Sequence, residues 1–190
     1  MQKNLLLTAL LPIAFLCANT AFAAETLDGV TVGVTDGDTA TILDSDNRQH
    51  IIRLADVDTP ETTCHAKKPS ARDEACLERG QPFGKTAKRN LSDLIYGKTV
   101  HVVLKGSSSY EREIGTIFVD GQDVNYIMVS RGMAWHYKTY ARKNQTASEY
   151  ARYENAEITA QTRQLGLWSD ASNPIPPWEY RKTSKRRAFQ

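Results

Sequence analysis

The chain has 190 residues, 24 Lys and Arg against 22 Asp and Glu, and a formal net charge of +2. That length suits one domain with a full core. Near-balanced charge provides no global field for a polyanion, so any such partner must be recognised by local clusters.

Residues 1–23 do not read as part of the fold. Lys3 precedes an apolar run over residues 5–17, and Ala21-Phe22-Ala23 is a small-x-small signal, so a secretory signal peptide cut before Ala24 is expected. The run is too short for a comfortable membrane span. Leu16 before Cys17 is the wrong context for a lipid anchor, so no membrane anchor is expected after cleavage. The product is expected in the periplasm or outside the cell, as a monomer. Cys64 and Cys76 remain, and an even, nearby pair in an exported chain reads as a disulfide. A zinc half-site with His65 is the rival, and it lacks the usual ligand spacing.

Short β-prone runs at residues 30–34 and 40–43 meet at Asp36-Gly37-Asp38, a turn sequence that favours hairpins. Residues 49–54 give a third strand after a polar turn at 44–47. The polar stretch 62–80, broken by Pro69, reads as a surface loop with room for a helical turn near 72–77. Residues 82–95 predict a helix with Phe83, Ala87, Leu91, Leu94 and Ile95 near helical spacing, stopped by Gly97. Strands follow at 99–104 and 114–119, around a flexible Gly-Ser link. Residues 124–130 read as a short helix. Thr146-Ala147-Ser148-Glu149 is a capping box opening a long helix with Ala147, Ala151, Ile158 and Leu165 toward the core. Pro174, Pro176 and Pro177 then mark an extended tail that ends in a basic run. Five short strands with helices inserted and appended suggest a small Greek-key barrel.

Acidic residues concentrate at the strand ends. Asp36 and Asp38 flank a glycine, and Asp56 and Asp58 repeat the i, i+2 spacing that puts two side chains on one face of an extended segment. Taken alone, Asp-Gly is an ordinary hairpin turn, and Arg53 with Glu61 is a surface ion pair of about 0–1 kcal/mol. Their joint occurrence, with Pro60 stiffening the corner before Glu61, fits a hard cation with oxygen ligands and an arginine on phosphate.

These residues carry a family resemblance. Asp-Gly-Asp-Thr at 36–39, Arg-Leu-(x)3-Asp-Thr-Pro-Glu at 53–61, Tyr110-x-Arg112 before a strand, and Asp120-Gly121-(x)2-Val124-Asn125 closely resemble the staphylococcal (micrococcal) nuclease family. Residues 129–135 and 165–168 agree in the same order, so the resemblance covers about residues 30–168. It implies an α+β fold, a five-stranded OB-type β-barrel with three helices, over residues 24–170, followed by a Pro-rich basic tail at 171–190. It also implies a metal-dependent endonuclease acting on DNA and RNA with low sequence specificity, leaving 3′-phosphate ends. By similarity, Asp38, Asp58 and the Thr59 carbonyl match the ligands of a single Ca2+, with Asp36 in its outer shell. An all-oxygen site also accepts Mg2+ or Mn2+. Glu61 matches the residue that activates or orients the attacking water, and Arg53 and Arg112 match two phosphate-gripping arginines. Tyr110 and Tyr137 fall near nucleotide-contacting positions, with Tyr140 an equal candidate to Tyr137. Two departures stand out: Glu111 and Glu113 flank Arg112 where a glycine is frequent, and Asp56 replaces an apolar residue. The rival readings are a non-catalytic nucleic-acid-binding module and a structural module of the envelope.

Overall fold

In the computed structural model, residues 24–62, 80–107, 112–169 and 174–187 are described. Residues 1–23, expected to be a signal peptide, Cys64 and Cys76, the stretch 72–77 expected to hold a helical turn, Tyr110 and Glu111 lie outside the described residues. The strands are β1 (Thr26–Val34), β2 (Thr39–Leu43), β3 (Gln49–Leu54), β4 (Val57–Asp58), β5 (Thr99–Ser107), β6 (Glu113–Val119), β7 (Gln122–Asp123) and β8 (Trp135–His136). The helices are α1 (Gly84–Ile95), α2 (Val124–Ser130), α3 (Lys138–Asn144), α4 (Ala147–Thr162) and α5 (Pro177–Arg187).

β1, β2 and β3 form an antiparallel meander, with Val34 opposite Ala40 and Thr39 opposite Arg53. Alternation sets its faces: Ala40, Ile42, Ile52 and Leu54 are buried, while Val30, Val32 and Ile51 are exposed. β5 pairs with the other edge of β1, and β6 with β5. β6 then lies parallel to β3, with Ile52 opposite Glu113 and Leu54 opposite Gly115. That last pairing closes a five-stranded barrel and leaves no open edge among these strands.

α1 covers the barrel with a stripe of Ala87, Leu91 and Ile95, all fully buried at four-residue spacing. Two helices add to the three expected. α3 follows Tyr137, and α5 starts at Pro177 in the stretch read as an extended tail. Proline at the first helical position has no amide to leave unbonded, so the Pro-rich run opens α5 instead of preventing a helix.

The long helix α4 corrects one expectation. Its capping box is present, with Thr146 and Glu149 bonded reciprocally. Its buried residues, however, are Tyr153, Ala156, Glu157 and Ala160, while Ile158 and Leu165 are largely exposed. The inward face is partly polar, and two of its groups are paired. The Tyr153 hydroxyl donates to Asp123 at 2.8 Å, and Glu157 accepts from the His136 backbone at 3.0 Å. Hydrophobic spacing could not reveal such a face.

Asn125 fastens α2 to the barrel. Its amide nitrogen donates to the Ala55 and Gly115 carbonyls at 3.0 and 3.2 Å, and its oxygen accepts from Ile117 N at 3.2 Å. The residue is fully buried. Asn125→Ala leaves buried backbone groups without partners, and the expected loss is about 3 kcal/mol. A urea titration with a lowered midpoint and unchanged slope checks it.

Candidate active site

The acidic turn between β1 and β2 is built by its own side chains. Asp36 Oδ1 accepts from the Asp38 amide at 3.1 Å, and Thr35 N donates to Thr39 O at 2.9 Å. A Cβ on Gly37 would stand 2.7 Å from Thr59 Oγ1 and 2.9 Å from Ala87 Cβ. Only glycine lets the turn settle against both the Thr59 corner and α1.

The second acidic segment arrives from the end of β3. Leu54 N donates to Asp38 O at 2.8 Å, which joins the two segments through backbone. β4 pairs with β8, Asp58 opposite Trp135, and so fixes the Asp58 side chain. Asp38 and Asp58 then face each other across Arg53, whose Nη2 lies 2.8 Å from Asp38 Oδ2 and 2.8 Å from Asp58 Oδ1. Both carboxylates are buried.

Glu61 sits on the next corner. Gln81 grips that corner twice: its side-chain oxygen accepts from Glu61 N at 3.1 Å, and its amide donates to Glu61 O at 2.8 Å. Gly84, at the start of α1, lies so close to this corner that a Cβ there would collide with the Glu61 carbonyl.

These segments surround a cavity of about 380 Å3. Asp36, Asp38, Arg53, Thr59, Glu61, Arg112 and Tyr137 all line it, and Tyr140 does so as well. Asp58 lies beneath, held by Arg53. Asp56 also faces the cavity, almost fully buried at a φ of 63°, and accepts from Asn144 Nδ2 at 2.9 Å. It is therefore a bonded wall residue and not a solvated strand face.

The charges show strain. Burial first, and then the Asp38 charge, push Asp36 up to about 7. Burial also raises Asp58 to about 6, although the Arg181 hydrogen bond and the Arg53 charge oppose it. The neighbouring Asp38 carboxylate holds the Arg53 guanidinium above its ordinary value. Among the described residues, no group of three or more His, Cys, Asp and Glu side chains stands in metal-holding geometry. Hard oxygen donors crowded against their own repulsion nonetheless suit a hard dication chemically.

Of the two acids flanking Arg112, Glu113 is the one described. Glu113 accepts from His50 Nδ1 at 3.0 Å, and His50 Nε2 reaches Asp44 at 3.0 Å on its other side. Glu113 is thereby engaged outside the cleft by an imidazole. These bonds, that to Asp44 foremost, raise His50 above its ordinary value.

Sequence reasoning missed Arg181. It comes from α5, and its Nη2 lies 2.6 Å from Asp58 Oδ2, while its Nη1 lies 2.6 Å from Glu61 Oε1 and 3.2 Å from Asp58 Oδ1. Gln81 and Asn144 were also missed. The one available signal was Trp178 and Arg181 spaced i, i+3 behind a proline.

A profile of the family described as "Staphylococcal nuclease homologue" matches residues 51–170. The chain belongs to that family. It is 34% identical over 184 residues to an "Uncharacterized endonuclease" of Haemophilus influenzae, covering 97% of this chain and 88% of the relative. It is 35% identical over 167 residues to the "Micrococcal nuclease" of Shigella flexneri, covering 83% and 82%. It is 32% identical over 134 residues to the "Staphylococcal-like nuclease CAN1" of Arabidopsis thaliana, covering 70% of this chain and 34% of that one. The protein is thus a nuclease of the staphylococcal type, and its closed barrel matches the OB-type fold expected.

Two tests address how this nuclease holds its site. Gly84→Ala should push the Glu61 corner outward; a misplacement of about 1 Å costs roughly 100-fold in rate, and the backbone clash should also lower the melting temperature. Activity beside a melting curve separates the two. For His50, the raised value means its pairing stabilises the fold fully below the unfolded value of about 6.5 and is lost as pH rises through the higher folded value. The wild type should therefore lose its melting-temperature advantage over His50→Gln as pH climbs above about 6.5.

Proposed function

We propose that this nuclease is a Ca2+-dependent endonuclease that hydrolyses DNA and RNA with low sequence specificity and leaves 3′-phosphate ends. The observation that carries the reading is the convergence of Asp38, Glu61, Arg53 and Arg112 on one cavity, with Asp58 held beneath it by Arg53, in a chain of this family. Asp38, Asp58 and the Thr59 carbonyl would hold the cation, with Asp36 outside them. When bound, the ion offsets charge on a phosphate oxygen and lowers the pKa of nearby water.

The chain's own groups do the rest. Arg53 and Arg112 present forked donors to the phosphate oxygens and stabilise the charge that grows there on attack. Glu61 accepts a proton from the attacking water at a carboxylate oxygen. The new P–O bond forms as the bond to the 5′ oxygen breaks, and that oxygen takes a proton from solvent, giving a 3′-phosphate and a 5′-hydroxyl. Tyr137 and Tyr140 offer ring faces that stack on any base, which is why low specificity is expected.

Digestion of plasmid DNA and single-stranded RNA with Ca2+, with Mg2+ and with chelator tests this. Both substrates should be cut with Ca2+ and spared with chelator. Glu61→Ala should lower the rate by about 100-fold or more, and Arg112→Ala by a similar factor. Binding without cutting under every metal would point to a non-catalytic module.

Residues 1–23 are proposed to direct export, and Cys64 and Cys76 to join afterwards. The exported product should begin at Ala24 and react with iodoacetamide only after reduction. A product that retains residues 1–23, or a thiol that alkylates without reductant, would sink this part of the proposal.

A further inference from the structure

Two side chains on the inward face of α5, Arg181 and Trp178, each cover a working surface of the cleft. Arg181 holds both oxygens of Asp58 and one of Glu61, at 2.6 to 3.2 Å. Three residues earlier, one turn back on the same helix face, Trp178 lies flat on the Tyr137 ring, with centroids 4.9 Å apart and planes 8° from parallel. A flat ring on Tyr137 takes the position a stacked base would use. A forked cation on Asp58 and Glu61 takes the oxygens that a dication and an attacking water would use.

We propose that α5 is a self-occluding strap, with Arg181 in the acid site and Trp178 on the stacking face, which metal and substrate displace. The inference rests on the reading of the cleft as a metal-dependent nuclease site. It goes further by making the two occupants of one helix mutually exclusive with that site's ligands.

Competition follows from the lone pairs. A carboxylate offers few strong directions for donors, and Arg181 engages both oxygens of Asp58. A dication seeking the same oxygens has to remove the guanidinium. Docking rests on Arg181, on Trp178, whose ring also meets Trp135 edge-on with centroids 6.4 Å apart, and at the stem on Gln81 Nε2 donating to the Ile175 carbonyl at 2.7 Å. The opposite side of α5 faces solvent, where Lys182 pairs with Glu179 at 2.9 Å. Such a helix exchanges between docked and released states according to what each ligand gains by its release.

The test is calorimetric titration of Ca2+ into the full-length mature protein, Arg181→Gln and Lys182→Gln. Hydrogen exchange of the wild type with and without Ca2+ accompanies it. Arg181→Gln should bind Ca2+ about tenfold tighter or more, since a charge-assisted clamp no longer competes. Lys182→Gln should match the wild type. Saturating Ca2+ should speed exchange at residues 177–183 in the wild type, a readout that stands even if Arg181→Gln folds poorly.

Equal or weaker Ca2+ binding by a folded Arg181→Gln would overturn the strap and make Arg181 a fixed contact of the cleft. Unchanged exchange at saturating Ca2+ would overturn it as well. Absence of Ca2+ binding by all three proteins, each folded, would fell the nuclease-site reading and the strap together. Ca2+-dependent cutting with Arg181→Gln unaltered in affinity would sink the strap alone.

Discussion

The cleft depends on one guanidinium between two buried acids. Arg53 bonds Asp38 and Asp58 at 2.8 Å each, and both carboxylates are almost fully buried. An uncompensated charge in such a place costs several kcal/mol. The hairpin turn, the end of β3 and β4 therefore hold together as a unit. The pairing does not fully relieve the acids, because Asp36 and Asp58 still sit above the carboxylate range.

Backbone packing makes that unit possible. Gly37 lets the hairpin turn touch Thr59 and Ala87, and Gly84 lets α1 start against the Glu61 corner. Neither contact supplies much energy by itself. Each removes a Cβ from a place where two backbones meet, so the carboxylates land within one cavity. Asn125 does the same at the far side, tying the loop after β3 and β6 to α2 through three buried hydrogen bonds.

The same electrostatics explains why Glu113, beside Arg112, does not close the cleft. His50 engages Glu113 on the outer side of the β3 and β6 seam, where the parallel pairing completes the barrel. On the opposite rim, α5 adds a second guanidinium, that of Arg181, to Asp58 and Glu61. A barrel of this kind leaves its acidic mouth exposed to whichever cation reaches it, whether an ion, a substrate-bearing complex or a side chain of the same chain.

Local sequence determined the strands, the acidic turns and most of the residues that line the cavity. Hairpin chemistry, alternation and the motif spacing from Asp36 to Glu61 act over a few residues, and a chain written in order shows them. Asp38, Arg53, Asp58 and Glu61 lie within 24 positions of one another, so their meeting was legible. Tertiary structure decided what depends on distant parts meeting. It buried a face of α4 lined with Tyr153 and Glu157, whose partners are Asp123 and the His136 backbone. It bonded Asp56 to Asn144, 88 positions on. It brought Arg181 to Asp58 across 123 positions. A basic residue in a tail carries no local mark of such a destination, because the acids that draw it there become costly only once the barrel has buried them.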